Sequence, residues 1–464
     1  MVMSRHKGAK IDKITYNEII RISHSGHKIH FVGIGGVSMY SLARLANNLG
    51  ATVSGSDRES SPRTDSLASL GMEIFIGHRA ENVDGAHLVV YSHAIDEDNP
   101  ELSYARSHNI PTVSRAEYLG AMMLEYRSRI GVSGSHGKST TTAILDAIFA
   151  HAGAGPTTLS GADLQEGDPL RIGSPDLFIY EACEYRDSFL RFTPTVSIGL
   201  NLDLDHTDYF PDISSLRESF LRAFNRAEDF VILSGDDPNF KKIIPKITTK
   251  VITFGRSKGN TYRYDISSFR EGNFLFDLYK FENKIGSFEL HLPGAFNLHN
   301  ATAAIAAALE MGIDIDRIYE AVAAFRGISR RLELIGQAFG RDVYYDYAHH
   351  PTEIGASITG LRGLCCGEIT VLFKPHTYSR TKSLWNEMCS SLSIADYVIL
   401  TDIYAAREEP IPGITSENLA RDIGEMAAYV QDNEAAEYIM KNTRGAIVLM
   451  GAGDLTEIKN QLIR

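Results

Sequence analysis

Gly131, Gly137, Lys138 and Ser139 stand as G-x-x-x-x-x-G-K-S, one residue longer than the G-x-x-x-x-G-K-[ST] phosphate-loop spacing, with a further glycine at Gly134. Glycines without a Cβ let backbone N–H groups turn inward around a chain of phosphates. The lysine then reaches the outer phosphates, and the hydroxyl behind it can ligate Mg²⁺ at a helix N-terminus. The chemistry on offer is triphosphate binding, with Gly134, Ser135, His136, Gly137, Lys138, Ser139 and Thr140 as the cradle. A glycine-rich turn between a core strand and a helix has the same local composition. The flanks favour the first reading: Ser128 to Val132 predicts an apolar strand, and Thr140 to His151 a helix with apolar Ala143, Ile144, Ala147, Ile148 and Phe149. ATP is the expected nucleotide, and the question becomes what its phosphate is used for.

Other constellations lie on either side. Gly33-Ile34-Gly35-Gly36-Val37-Ser38 is a partial dinucleotide-type turn, with Ser38 where a third glycine belongs. Asp57 follows at about the twenty-residue distance from which a carboxylate accepts a ribose hydroxyl. Gly33, Gly35, Gly36, Ser56 and Asp57 are thus candidates for a nucleoside diphosphate or a dinucleotide, and a plain strand–helix turn is the alternative. Glu181-Ala182-Cys183-Glu184 and Asn201 to Asp208 are acid-rich strand ends. Carboxylates and an imidazole suit Mg²⁺ in phosphoryl transfer, so Ser139, Glu181 and His206 are candidate metal ligands, although such acids also serve simply as caps. Arg330-Arg331 can meet a transferring phosphoryl group or form an interdomain salt bridge. In Asp346-Tyr347-Ala348-His349-His350 the adjacent histidines project to opposite sides of an extended chain, so substrate contact is expected rather than one shared ion.

These residues need a scaffold. A chain of 464 residues is too long for one ordinary core. Strand–turn–helix units recur from Lys28, and short continuous apolar runs such as Leu177–Tyr180, Val196–Leu200 and Phe230–Leu233 predict parallel strands buried on both faces. Between Val251 and Leu292 the period changes, predicting a small subsidiary antiparallel sheet. A short amphipathic helix is expected around Ile14 to Ile22, laid against the first domain. The expected fold is α/β in three domains: a Rossmann-like unit at 1–118, a P-loop ATPase unit with a mainly parallel sheet at 119–329, and a second Rossmann-like unit at 330–464. A net charge of −12 argues against nucleic acid or an anionic membrane as partner. Cys183, Cys365, Cys366 and Cys389 form no C-x-x-C pair and read as reduced thiols of a cytoplasmic protein. No run of eighteen apolar residues and no leader-like N-terminus is present, so a soluble chain is expected.

Taken in order, HFVGIGG (30–36), SGSHGKSTTT (133–142), EACEYRDSFL (181–190), NLDLDHTDYF (201–210), FNLHNATAA (296–304), FRGISRRLE (325–333), YDYAHHPTEI (345–354), KPHTYSRT (374–381), EEPIPG (408–413) and GAGD (451–454) resemble the Mur ligase family of peptidoglycan synthesis. The resemblance runs from about His30 to Asp454 and implies an ATP-driven amide synthesis. The carboxylate of UDP-N-acetylmuramate would be phosphorylated and then attacked by L-alanine. Joining a preformed peptide to the same sugar is the alternative within the family. A nicotinamide-dependent oxidoreductase built on Gly33 to Asp57 is the alternative outside it, and the phosphate loop and Ser38 count against it. The resemblance places the UDP portion at Gly33, Gly35, Gly36 and Asp57. It places ATP at residues 134–140 with Asn297, Asn300, Arg331 and Asp346, and a second Mg²⁺ at Glu181 and His206. His349, His350 and Arg380 would meet the amino acid, and Lys138, Glu181, His206, Arg331, Asp346 and His349 would carry catalysis. A monomer or weak homodimer is expected. Three residues depart from the family pattern: Ser38, Cys183 where aspartate is commoner, and Arg407 where glycine often stands.

Overall fold

The computed structural model describes residues 14–463 except 25, 165, 166, 208, 271, 366 and 407, so Arg407 and Cys366 lie outside the described residues. The expected N-terminal helix spans Tyr16–Ser23. Thr15 and Glu18 close a capping box at its start, satisfying two otherwise orphaned N–H groups. Its apolar face buries Ile19 and Ile22, and Ser23 Oγ lies 3.1 Å from the hydroxyl of buried Tyr118.

Three sheets follow. The first contains β1 (Lys28–Val32), β2 (Thr52–Asp57), β3 (Glu73–Ile76), β4 (Leu88–Tyr91) and β5 (Thr112–Ser114), all parallel, in the order β3-β2-β1-β4-β5. The chain departs in opposite directions from β1, so the strand order reverses at its C-terminal end. That is where an open parallel sheet leaves a crevice for a ligand, and the glycine turn sits there. Residues 118 and 119 both fall inside the helix Arg115–Met122.

The second sheet has ten strands: β6 (Ser128–Ser133), β7 (Thr157–Leu159), β8 (Leu170–Arg171), β9 (Leu177–Glu181), β10 (Val196–Gly199), β11 (Phe230–Ser234), β12 (Lys250–Gly255), β13 (Tyr262–Arg270), β14 (Asn273–Lys280) and β15 (Asn283–Leu290). Their order is β15-β14-β13-β12-β11-β10-β6-β9-β7-β8. The antiparallel strands β13 to β15 do not stack on the main sheet. They extend its edge through a short parallel pairing of Phe254 and Gly255 with Tyr262 and Arg263. The phosphate-loop strand β6 lies between β9 and β10, so the ends of those neighbours flank the loop on both sides. Behind it the helices Lys138–His151 and Phe296–Glu310 pack together. The second is buried on nearly every side, and its alanines let it lie close to its neighbours.

The third sheet holds β16 (Glu333–Ala338), β17 (Arg341–Asp346), β18 (Ile369–Phe373), β19 (Tyr397–Leu400), β20 (Ala427–Tyr429) and β21 (Ala446–Met450), in the order β16-β17-β21-β18-β19-β20. Only the edge pair β16–β17 is antiparallel. The ends of β17, β18 and β21 therefore adjoin, which brings Asp346, Lys374 and Gly451 to one rim. Among the described residues no helix is long and apolar enough to cross a membrane.

Candidate active site

The phosphate loop is built around backbone that side chains resist. Gly134 (φ +136°) and Gly137 (φ +86°) both take conformations that L-residues rarely adopt, and a Cβ on Gly137 would lie 2.4 Å from Asn300 Oδ1. Asn201 grips the loop from β10: its Oδ1 accepts from His136 N (2.8 Å) and its Nδ2 donates to His136 O (3.0 Å). Lys138 Nζ donates to Gly134 O (2.5 Å) and Ser135 O (3.2 Å) and pairs with Glu184 (3.3 Å). Burial disfavours its charge, but Glu184, Cys183 and Glu181 together outweigh this and hold the lysine up to about 12.

Two cavities meet at this loop. One, of about 320 Å³, lies beside Phe296, Asn297, His299 and Asn300. The other, of about 420 Å³, is polar and contains Lys138, Ser139, Glu181, Glu184 and His206. Gly137, Arg331 and Glu353 line both. Val37 and Arg63 from the first sheet's domain also face the second cavity, as do His349, Arg380 and Ala452 from the third. All three domains therefore wall one space.

Glu181 Oε1 accepts from Ser160 Oγ (3.1 Å) and Gly161 N (2.5 Å). His206 Nε2 lies 4.0 Å from both Glu184 and Asp205, too far for a hydrogen bond. Among the described residues no three His, Cys, Asp or Glu side chains converge in metal-ligating geometry. Mg²⁺ does not need such a cage, because it binds through one or two carboxylates together with substrate phosphates and water. The hard oxygens of Glu181, Glu184 and Ser139 around one cavity fit it. His206 (φ +54°), Arg330 (φ +61°) and Leu332 (φ +48°) sit in left-handed backbone, and such strain, of order 1–3 kcal/mol each, collects where surrounding contacts over-determine a site. Arg331 Nε is buried without a hydrogen-bond partner, leaving an unused donor on a cation at the junction of the cavities.

From the third domain, Asp346 accepts from Ala348 N and Ser357 Oγ, both at 2.8 Å. Burial outweighs these bonds and the Arg331 charge, and raises Asp346 to about 6. His349 Nδ1 lies 3.0 Å from Tyr347 O. A carbonyl only accepts, so Nδ1 carries the proton and Nε2 keeps its lone pair; burial holds the ring toward its neutral form. Arg380 pairs with Asp205 at 3.1 Å, which with burial opposed holds Asp205 well below the carboxylate range.

Three family models match the chain in succession: Mur ligase family, catalytic domain, at residues 28–127; Mur ligase middle domain at 132–308; and Mur ligase, glutamate ligase domain, at 330–453. A UDP-N-acetylmuramate–L-alanine ligase of Caldicellulosiruptor bescii is 40% identical over 94% of this chain and 98% of its own. The chain belongs to the Mur ligase family. A relative of the same name from Acetivibrio thermocellus is 41% identical over 94% of this chain and 95% of its own. Among solved structures, a UDP-N-acetylmuramate–alanine ligase of Thermotoga maritima superposes with a TM-score of 0.81 at 28% identity, over 94% of this chain and 98% of that one. A murein peptide ligase of Psychrobacter arcticus gives 0.74 at 25%, with the same coverage.

This Mur ligase brings most of the expected residues together: the phosphate loop, Glu181, His206, Asn297, Asn300, Arg331, Asp346, His349 and Arg380 all face the two cavities. Two expected residues have their side chains engaged elsewhere. Ser56 is fully buried, and its hydroxyl bonds to Glu101 (2.7 Å) and lies 3.1 Å from His78. His350 caps the helix Pro351–Arg362, accepting from Thr352 N, and its ring lies against His136 rather than on a cavity wall. Gly33 N donates to Ser56 O and Gly35 N to Asp57 Oδ2, both at 2.8 Å, so Asp57 braces the first glycine turn. Ser38, at the third-glycine position, accepts from Arg115 at 2.9 Å. Sequence reasoning missed Glu184, Asp205 and Glu353 as parts of the site. Glu184 and Asp205 were visible as second acids in acidic strand ends. Glu353 was visible as the third helical residue after a cap, where a carboxylate reaches back.

Proposed function

We propose that this chain joins L-alanine to the carboxylate of UDP-N-acetylmuramate, converting ATP to ADP and phosphate. The observation that carries this reading is the cavity walled by all three domains, where Val37 and Arg63 of the first, the phosphate loop of the second and the His349–Arg380 rim of the third open on one space. Working roles follow from position. The 1–118 portion takes the UDP sugar at the first glycine turn, 119–329 takes ATP, and 330–464 takes the amino acid. The base and ribose of ATP suit the cavity beside Phe296 and Asn297, with the phosphates turned past Gly137 toward Lys138.

The sugar carboxylate attacks the γ-phosphorus; the bond to the bridging oxygen breaks, leaving an acyl phosphate and ADP. Lys138 and Arg331 neutralise charge that spreads over the phosphoryl oxygens. Mg²⁺, one or two ions held by Ser139, Glu181 and His206, would supply Lewis acidity at those oxygens. The alanine amine must then lose a proton and attack the carbonyl carbon, and phosphate leaves. His349 Nε2, with its lone pair free, is placed to take that proton, and Arg380 to meet the amino acid's carboxylate. Transfer is direct, with no covalent enzyme intermediate. The chain works as a cytoplasmic monomer or weak homodimer.

Phosphate release with ATP and UDP-N-acetylmuramate, varying the acceptor among L-alanine, glycine, L-serine and a tripeptide, tests the reading. Release with L-alanine is expected. Release with the tripeptide alone would move the chain to murein peptide ligation, the activity named for the Psychrobacter structure, and no release with any single amino acid would overturn the proposal.

A further inference from the structure

Glu353 is the third residue of the helix Pro351–Arg362, where a carboxylate ordinarily closes a capping box and does nothing more. Here it does both. Its Oε2 accepts from the backbone N–H groups of His349 (3.2 Å) and His350 (3.4 Å), while Oε1 lies 3.1 Å from Nδ1 of His136 in the phosphate loop of another domain. The other nitrogen of His136 lies 3.2 Å from Asp203, whose carboxylate also receives Thr352 Oγ1 at 3.3 Å. The Nε2–Asp203 contact is an ion pair without an aligned hydrogen bond, so the directed bond to His136 comes from Glu353. His136 immediately precedes Gly137 and Lys138.

We infer that Glu353 is a positioning residue that ties the phosphate loop to the amino-acid side of the cavity. This inference rests on the ligase reading above. Asn201 holds the His136 backbone from the second domain; Glu353 holds its side chain from the third. Loop geometry at Gly137 is therefore complete only when the third domain is docked. The same carboxylate fixes the backbone of His349, which lines the cavity. ATP bound at the loop then favours docking, and docking strengthens the hold on ATP by the same factor, since coupling between two sites is reciprocal.

Glu353→Gln separates capping from tethering. A glutamine can still close the capping box, but its neutral amide has no charge to set against His136, so the charge-assisted bond across the domains is lost. The expected outcome is kcat lower by about 10- to 100-fold, the range one charge-assisted hydrogen bond accounts for. KM for the UDP sugar should stay near wild type, while the melting temperature falls because Glu353 shares with Asp203 the pairing of His136. His136→Ala should cost a similar factor, and the double variant should be no slower than the slower single one. Wild-type kcat in Glu353→Gln, a loss that appears in KM for the UDP sugar instead of kcat, or losses that multiply in the double variant would each overturn the tether. Wild-type phosphate release with L-alanine, run alongside, tests the ligase reading separately.

Discussion

Gly137→Ala is the sharpest test of the phosphate loop because two separate costs meet there. At φ +86° an alanine bears the left-handed penalty, roughly 1–2 kcal/mol. Its Cβ would also stand 2.4 Å from Asn300 Oδ1 and 3.0 Å from Asn300 Cγ. Asn300 is buried in a packed helix and cannot swing freely; displacing it breaks its 3.2 Å bond to Asn297 Oδ1, worth about 1 kcal/mol net and more if a buried partner is stranded. The sum is about 2–4 kcal/mol. Hydrogen exchange reads it locally: amides in the first turns of the helix Lys138–His151 should lose protection by about 30- to 1,000-fold, since 1.4 kcal/mol is tenfold. Asn300→Ala removes the obstacle but not the backbone penalty. The double variant should therefore lose at least about 1 kcal/mol less than the sum of the single losses. Strict additivity, or wild-type protection in Gly137→Ala, would refute the steric argument.

Lys138→Ala strands the buried Glu184 carboxylate and removes the cation beside the phosphates; phosphate release should fall by about 10³-fold or more, with near-wild-type rates contradicting its role. His136 is raised to about 9 because the Asp203 and Glu353 carboxylates overcome the cost of burial. Its stabilising contribution is whole below about pH 6.5, the unfolded value, and is lost as pH rises through 9. The unfolding free energy from denaturant titrations should fall across that window by on the order of 3 kcal/mol, and the fall should vanish in His136→Ala. Asp346→Asn presents a donor to Ser357 Oγ or Ala348 N, both already donating to the carboxylate. It should cost about 1–3 kcal/mol. Because burial raises Asp346 to about 6, any limb of kcat/KM near pH 6 in the wild type should disappear in that variant.

Much of this molecule is written in local pattern. The phosphate loop, the glycine turn after β1 and the continuous apolar strands each depend on neighbours within a few residues, and so does the Thr15–Glu18 cap. Backbone conformation answers to that range because glycine's freedom and strand burial are properties of residue type and period. The sequence therefore determined three α/β units, a glycine-rich loop at 134–140 and the acidic strand ends beside it. It did not determine which partner a side chain finds. Ser56 and His350 sit in the right turns, yet one hydroxyl is held by Glu101 and one imidazole by Thr352 N and the His136 ring. Nor did it show that β13 continues the edge of the main sheet, since register between distant strands leaves no local trace. Only the tertiary structure set Glu353 against His136, 217 residues away in sequence, and made one cavity of walls from three domains. Hydrogen bonds and ion pairs act through space over a few ångströms. Where the chain brings two such groups together is decided by packing, not by spacing.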